Sequence, residues 1–182
     1  MLILILGPSG AGKTTVIEEL VSNYKWVPIN SYITRPARAR EMYKISISEA
    51  EYLRLRRAGE LFSDLEQHGY CYGTSLQEIT AALRDSVPHV LDFTYTRRQE
   101  VFGGREHTAI ALLPETDAEL VRRLEEAGRE DRIDQALRDL LAINDMVSHS
   151  GSSEFAVVPV VNLRNQVAQA AAQIDALVKR FS

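Results

Sequence analysis

The chain has 182 residues, 45% of them apolar and 25% charged, and its 21 basic against 25 acidic side chains leave a net charge of −4. This is ordinary globular composition with enough length for one cored domain, and it excludes disorder, collagen and coiled coil as descriptions of the whole. A mildly acidic chain has no general pull toward nucleic acid or an anionic membrane, so neither is expected as a partner and any phosphate site must be local.

The apolar run over residues 2–6 is short and stopped by Gly7-Pro8. That pattern predicts a strand buried on both faces; a secretory leader would carry a basic flank and a longer run. A helix follows from Lys13 to about Asn23, with Val16, Ile17, Leu20 and Val21 forming one apolar stripe. Residues 30–75 break the rhythm with short β-like pieces at 32–34 and 43–47 and a helix near 49–57, the look of an inserted substrate region. The remainder alternates: helix 76–84, strands 87–93 and 108–113, helices 116–127 and 133–149, strand 155–161, helix 163–181. Thr116 precedes Glu119 by three, as in a capping box. Strands alternating with helices predict an α/β fold, a parallel sheet flanked by helices with ligands at the strand C-terminal edge.

Cys71 is the only cysteine, so no intrachain disulfide can form; a reducing, cytoplasmic setting is expected, with Cys71 packing between Tyr70 and Tyr72. No run of 18 apolar residues predicts a membrane span. His68, His89, His107 and His149 show no metal-ligand spacing.

The strongest signal is Gly7-Pro8-Ser9-Gly10-Ala11-Gly12-Lys13-Thr14, a G-x-x-x-x-G-K-[ST] loop running on into Thr15. Glycines let successive N–H groups turn inward toward phosphate oxygens, and the following helix N-terminus adds partial positive charge. The loop predicts ATP binding, with Lys13 bridging the β- and γ-phosphates and Thr14 offering its hydroxyl to Mg²⁺. Asp92 ends an apolar run, where an aspartate either holds waters of the Mg²⁺ or caps a turn.

With Ser31-Tyr-Ile-Thr-Arg-Pro-Ala-Arg38, Gly59-Glu-Leu-Phe62 and Tyr72-Gly-Thr74 added to that loop, the chain resembles the guanylate kinase family of P-loop nucleoside-monophosphate kinases, best over residues 1 to about 95. The resemblance implies a three-layer P-loop kinase fold with a core over 1–29 and 86–182, an acceptor-binding region over 30–85 and an arginine-rich lid over about 122–138. It implies phosphoryl transfer from ATP to a small acceptor, most simply GMP. Ser31, Arg35, Arg38 and Tyr72 match positions binding the acceptor phosphate, Tyr43 or Lys44 matches a further phosphate-binding tyrosine, and Thr74 matches a hydroxyl near guanine. Arg129, after Gly128, matches a lid arginine acting on the transferring group, with Arg132 and Arg138 the next candidates; Glu–Arg pairing along a helix surface is the other reading of these arginines. The arginines also stand on physical grounds, because joining two polyanions requires fixed guanidiniums.

Two positions depart from the family. Ser63 stands where it reads guanine with a glutamate, with Asp64 next door, and Thr94 stands where it has a second acidic reader. Without both carboxylates the acceptors for guanine N1–H and the exocyclic amine are gone, unless a one-residue shift brings Asp64 into the role. The same chain is similar to ribose 1,5-bisphosphate phosphokinases, which have the phosphate loop, a Tyr-Ile-Thr-Arg segment like residues 32–35, a Ser-Glu-x-Glu-aromatic piece like residues 48–52, and no base to read. A third expectation is a non-catalytic guanylate-kinase-like module; a scaffold, though, has no need of an intact Lys13-Thr14 loop.

Overall fold

The first strand sets the architecture. A computed structural model describes residues 1–36, 42–67, 69–150 and 157–181. In it β1 (Leu2–Leu6) is buried at every position, as a strand covered on both faces must be. It pairs in parallel with β8 (Thr108–Pro114), Ile3 opposite Thr108 through Leu6 opposite Ala111. β8 pairs in parallel with β9 (Val157–Asn162). Toward the other edge β2 (Val27–Pro28) lies parallel to β7 (His89–Asp92), and the five-stranded sheet runs β2-β7-β1-β8-β9. This is the α/β arrangement of a P-loop fold, with strand C-terminal ends sharing an edge.

Backbone contacts divide the chain into two compact units, Met1–Leu2 with Val27–Leu91 and Ile3–Trp26 with Asp92–Ser182. In the second unit, α1 (Lys13–Tyr24) buries Val16, Ile17 and Leu20 and ends at Lys25 in the left-handed conformation. It packs against α7 (Val167–Phe181), and the Trp26 indole N–H donates to Asp175 at 3.0 Å, both groups buried. α5 (Asp117–Glu126) and α6 (Ile133–His149) close on an apolar cluster of Leu120, Leu124, Ala136 and Leu140. Thr116 caps α5 by accepting from the Glu119 N–H at 3.1 Å, as the sequence predicts.

The first unit holds a second sheet, ordered β4-β3-β6-β5: β3 (Ser31–Ile33), β4 (Lys44–Ser46), β5 (Leu61–Gln67) and β6 (Tyr70–Ser75). β3 is parallel to β4 and antiparallel to β6, and β5 is antiparallel to β6. Two helices complete the unit, α2 (Glu49–Arg57), which buries Tyr52 and Leu55, and α3 (Leu76–Arg84), which buries Ile79 and Ala82. Ser48 and Ser75 cap them through their side-chain oxygens.

Helices 49–57, 76–84 and 133–149 match their predicted bounds. Other features differ, the two-residue β2 among them, which the sequence reading lacks. The β5–β6 hairpin is absent from the sequence reading, because an irregularity between Leu61 and Ser63 breaks the alternation that would reveal it. The short helix α4 (Arg98–Phe102) is likewise missed, being too brief for any periodicity. Helix α7 begins at Val167, not 163, after a turn with Asn165 left-handed at φ 57°. The first two residues of the strand predicted over 155–161 lie outside the described residues.

Candidate active site

The phosphate loop joins β1 to α1. Gly12 caps α1 at φ 89°, ψ 20°, a conformation open to glycine but strained for other residues. Gly7 is required by proximity, since a Cβ there would lie 2.6 Å from the Leu112 carbonyl oxygen. Between them Pro8 and Ala11 are buried, Ser9 and Gly10 half-buried. The first turn of α1, Lys13-Thr14-Thr15, carries no acidic side chain to oppose an anion. The Lys13 ammonium lies over the loop, donating to the carbonyl oxygens of Gly7 at 2.8 Å and Pro8 at 3.2 Å. It also lies 3.9 Å from Asp92 Oδ1. The strand-end aspartate predicted as a metal partner is thus beside the loop lysine, and Thr14 is half-buried one residue on.

Two side chains hold the loop from behind: Asn162, which the sequence reading did not single out, and Arg123, which it placed in the arginine-rich lid stretch. Asn162, at the end of β9 and 3% exposed, donates from Nδ2 to the Ala11 carbonyl at 2.9 Å. Arg123 donates from Nη2 to the Asn162 carbonyl at 2.8 Å and from Nε to Glu119 Oε1 at 2.8 Å. Arg122 is hydrogen-bonded to the other oxygen of Glu119. Together Arg123 and Arg122 hold the Glu119 carboxyl below the usual glutamate range. A polar residue closing the apolar run Val-Val-Pro-Val-Val is the only signal that would have drawn attention to Asn162.

The predicted lid arginines lie on the turn between α5 and α6 and on α6 itself. Arg129 precedes and Arg132 ends the short 3-10 turn over Glu130–Arg132 that links α5 to α6, the Arg132 N–H donating to the Arg129 carbonyl at 3.0 Å. Arg138 is exposed on α6 and donates to Gln135 at 3.0 Å. Thr94 is half-buried, its hydroxyl 3.0 Å from that of Thr96.

In the first unit the register brings several predicted acceptor residues together. Ser31, Thr74 and Ser63 stand directly opposite one another on β3, β6 and β5, so all three project from one sheet face. The Ser63 hydroxyl donates to Thr74 Oγ1 at 2.9 Å, and both residues are buried. The next rung on that face carries Tyr72 opposite Ile33. The Tyr72 hydroxyl accepts from Nε of Arg35 at 3.3 Å; Arg35 is only 6% exposed. Half-buried Tyr43 contributes its carbonyl to the Ser31 N–H at 3.0 Å. Arg38 lies outside the described residues.

Asp64 does not join this group. One residue from Ser63 along a strand, it projects from the opposite face, where α2 covers the sheet. There it accepts from the Tyr52 hydroxyl at 2.9 Å and pairs with Arg56 at 2.7 Å. Burial, and then the bond to Asp64, push the Tyr52 phenol well above its usual range. A one-residue shift to replace the missing glutamate would reverse every side chain of β5. Burial pushes the Cys71 thiol up, as for a packing residue. Among the described residues no three His, Cys, Asp or Glu side chains cluster as a metal site, and no helix is long and apolar enough to cross a membrane.

Comparison with known proteins agrees with this geometry. A family model described as an AAA domain matches residues 2–148. Guanylate kinase of Geobacter sulfurreducens is 33% identical over 144 residues, covering 75% of this chain and 69% of that protein. Guanylate kinase of Hahella chejuensis is 30% identical over 161 residues, covering 86% and 77%. Among solved structures, guanylate kinase from Anaplasma phagocytophilum superposes with a TM-score of 0.66 at 19% identity, covering 99% of this chain and 85% of that one, a likeness of fold.

Proposed function

We propose a reaction for this chain, which belongs to the guanylate kinase family of P-loop kinases: transfer of the γ-phosphoryl group of ATP to the phosphate of a small acceptor, GMP being the acceptor its relatives' name implies. The observation that carries this reading is the phosphate loop, in which left-handed Gly12, a first helical turn without carboxylates, and Lys13 lie together. Such a loop fits a triphosphate: backbone amides and the helix N-terminus meet the oxygens, and Lys13 exchanges its loop carbonyls for phosphate.

The acceptor phosphate is largely dianionic near neutral pH, its second pKa being about 6, so transfer needs positioning and charge stabilisation more than a general base. Arg35 supplies buried positive charge beside Tyr72 and is assigned to the acceptor phosphate with Ser31, Tyr43 and Arg38. Arg129, Arg132 and Arg138 are assigned to the transferring group. Mg²⁺, when bound, offsets charge on the ATP oxygens; the Thr14 hydroxyl and Asp92 are the oxygen donors here that would hold it, and they fit an ion that keeps much of its water. The reading assigns the protein to the cytoplasm, where Mg-ATP is plentiful.

A second reading is favoured by one observation. The face carrying Ser31, Thr74 and Ser63 presents hydroxyls, and Asp64 is turned away to Tyr52 and Arg56. Hydroxyls both donate and accept, which suits a sugar, whereas guanine N1–H and its amino group call for a carboxylate. The acceptor would then be a phosphorylated sugar such as ribose 1,5-bisphosphate. A coupled assay of ADP release with GMP, dGMP, AMP, CMP, UMP and ribose 1,5-bisphosphate separates the two. Turnover of GMP alone supports the first, turnover of the sugar without GMP the second. No ADP release with any, and no heat with Mg-ATP in calorimetry, would leave a binding module.

A further inference from the structure

Ala11 lies at the centre of the phosphate loop, between Gly10 at φ 86° and Gly12 at φ 89°. A peptide between an alanine and a left-handed glycine has little intrinsic preference for which way its carbonyl points, since glycine accommodates either orientation. Its direction must therefore be imposed from outside. The Ala11 carbonyl accepts from Asn162 Nδ2 at 2.9 Å and, at the long limit of 3.5 Å, from Arg123 Nη1. In a trans peptide the N–H points opposite to the C=O, so holding the Ala11 oxygen toward Asn162 turns the Gly12 N–H the other way.

Asn162 is itself locked. Its backbone oxygen accepts from Arg123 Nη2 at 2.8 Å. A Cβ on Gly12 would come within 2.5 Å of its Nδ2. Flipping the amide would set Oδ1 against the Ala11 oxygen. In the observed orientation Oδ1 is buried and has no hydrogen-bond partner among the described residues. A buried acceptor left unmatched is costly, and that cost is tolerated at a side chain whose other end steers the loop. Arg123 is steered in turn by Glu119 at 2.8 Å, so one guanidinium spans α5, β9 and the loop. A lysine lacks that planar fork.

We infer that Asn162, backed by Arg123 and Glu119, is a positioning residue that fixes the Ala11–Gly12 peptide with the Gly12 N–H aimed at bound phosphate. This rests on the reading of the loop as an ATP site and adds what holds the loop in its binding shape. It also takes Arg123 out of the arginine-rich lid: its place is behind the loop.

Calorimetric titration of Mg-ATP into the wild type, Asn162→Ala and Arg123→Lys, with melting curves for each, tests it. Loss of an oriented amide predicts affinity about tenfold weaker for Asn162→Ala and several-fold weaker for Arg123→Lys. In the coupled assay the ATP KM rises by a similar factor while the acceptor KM holds. Unchanged Mg-ATP affinity in folded variants overturns the inference, as does a fall in kcat with ATP affinity intact, the mark of packing alone or of direct action on the transferring group. If Asn162→Ala does not fold, Arg123→Lys decides by the same criteria. If the wild type itself takes up no Mg-ATP, the kinase reading fails and this inference falls with it, an outcome distinct from failure of the variants alone.

Discussion

Lys13 reaches two loop carbonyls at 2.8 and 3.2 Å and stands 3.9 Å from Asp92, so its charge is kept over the place a phosphate would fill. Lys13→Ala removes that charge without disturbing the core, and we expect turnover to fall by about a hundredfold or more with the melting temperature within a few degrees of wild type. Normal turnover in the variant would refute its role. On the other unit, Tyr52→Phe deletes the hydroxyl that bonds Asp64. Stability should drop by about 1 kcal/mol while the acceptor KM holds, because Asp64 faces α2. A raised acceptor KM would mean that the Asp64 face serves the acceptor after all. At this scale the sequence was most informative where a residue's chemistry has one use. A lysine and threonine after a glycine loop declare themselves. Asp64 does not, because only the register of β5 against β6 assigns it to the face opposite Ser63. Asn162 does not either, nor does the loop contact of Arg123, since Ala11 lies far from both in the chain.

Elements were legible where one period dominates. β1 is apolar throughout because both its faces are covered, and α6 carries its stripe along its whole length. The β5–β6 hairpin escaped because its irregularity breaks the alternation. Element geometry also makes predictions. Gly12→Ala places a Cβ at a left-handed φ and 2.5 Å from Asn162 Nδ2, so it should abolish measurable Mg-ATP binding in calorimetry while a folded circular dichroism spectrum persists. Thr116→Ala removes the cap of α5 and should lower stability in denaturant titration by about 1 kcal/mol. A change smaller than experimental error would show that the α5–α6 cluster, not the cap, fixes the helix start.

For the whole molecule, the fold class was readable from strand and helix alternation, and the separate unit over Val27–Leu91 from the break in that rhythm. Its pH behaviour was not, because it depends on burial. Burial holds the His107 imidazole below its usual range; Arg98 Nε donates to it at 3.0 Å, and its Nδ1 lies 2.7 Å from the Arg105 carbonyl. The unfolded chain protonates this histidine first, so stability is full above the unfolded pKa of about 6.5 and declines as pH falls below it. Glu119, also held low, adds a loss at more acid pH, setting in below about 4.3 as the unfolded glutamate takes up its proton first. Melting temperature should therefore fall from pH 7 to 5, and His107→Gln should flatten that slope; an unchanged slope would assign it elsewhere. The central claim, phosphoryl transfer to a phosphorylated acceptor, is tested most directly by phosphorus NMR of the enzyme with Mg-ATP and either GMP or ribose 1,5-bisphosphate. The expected result is a new acceptor pyrophosphate signal growing in step with ADP. ATP left intact with both acceptors, or split to inorganic phosphate with the acceptor unchanged, would contradict it.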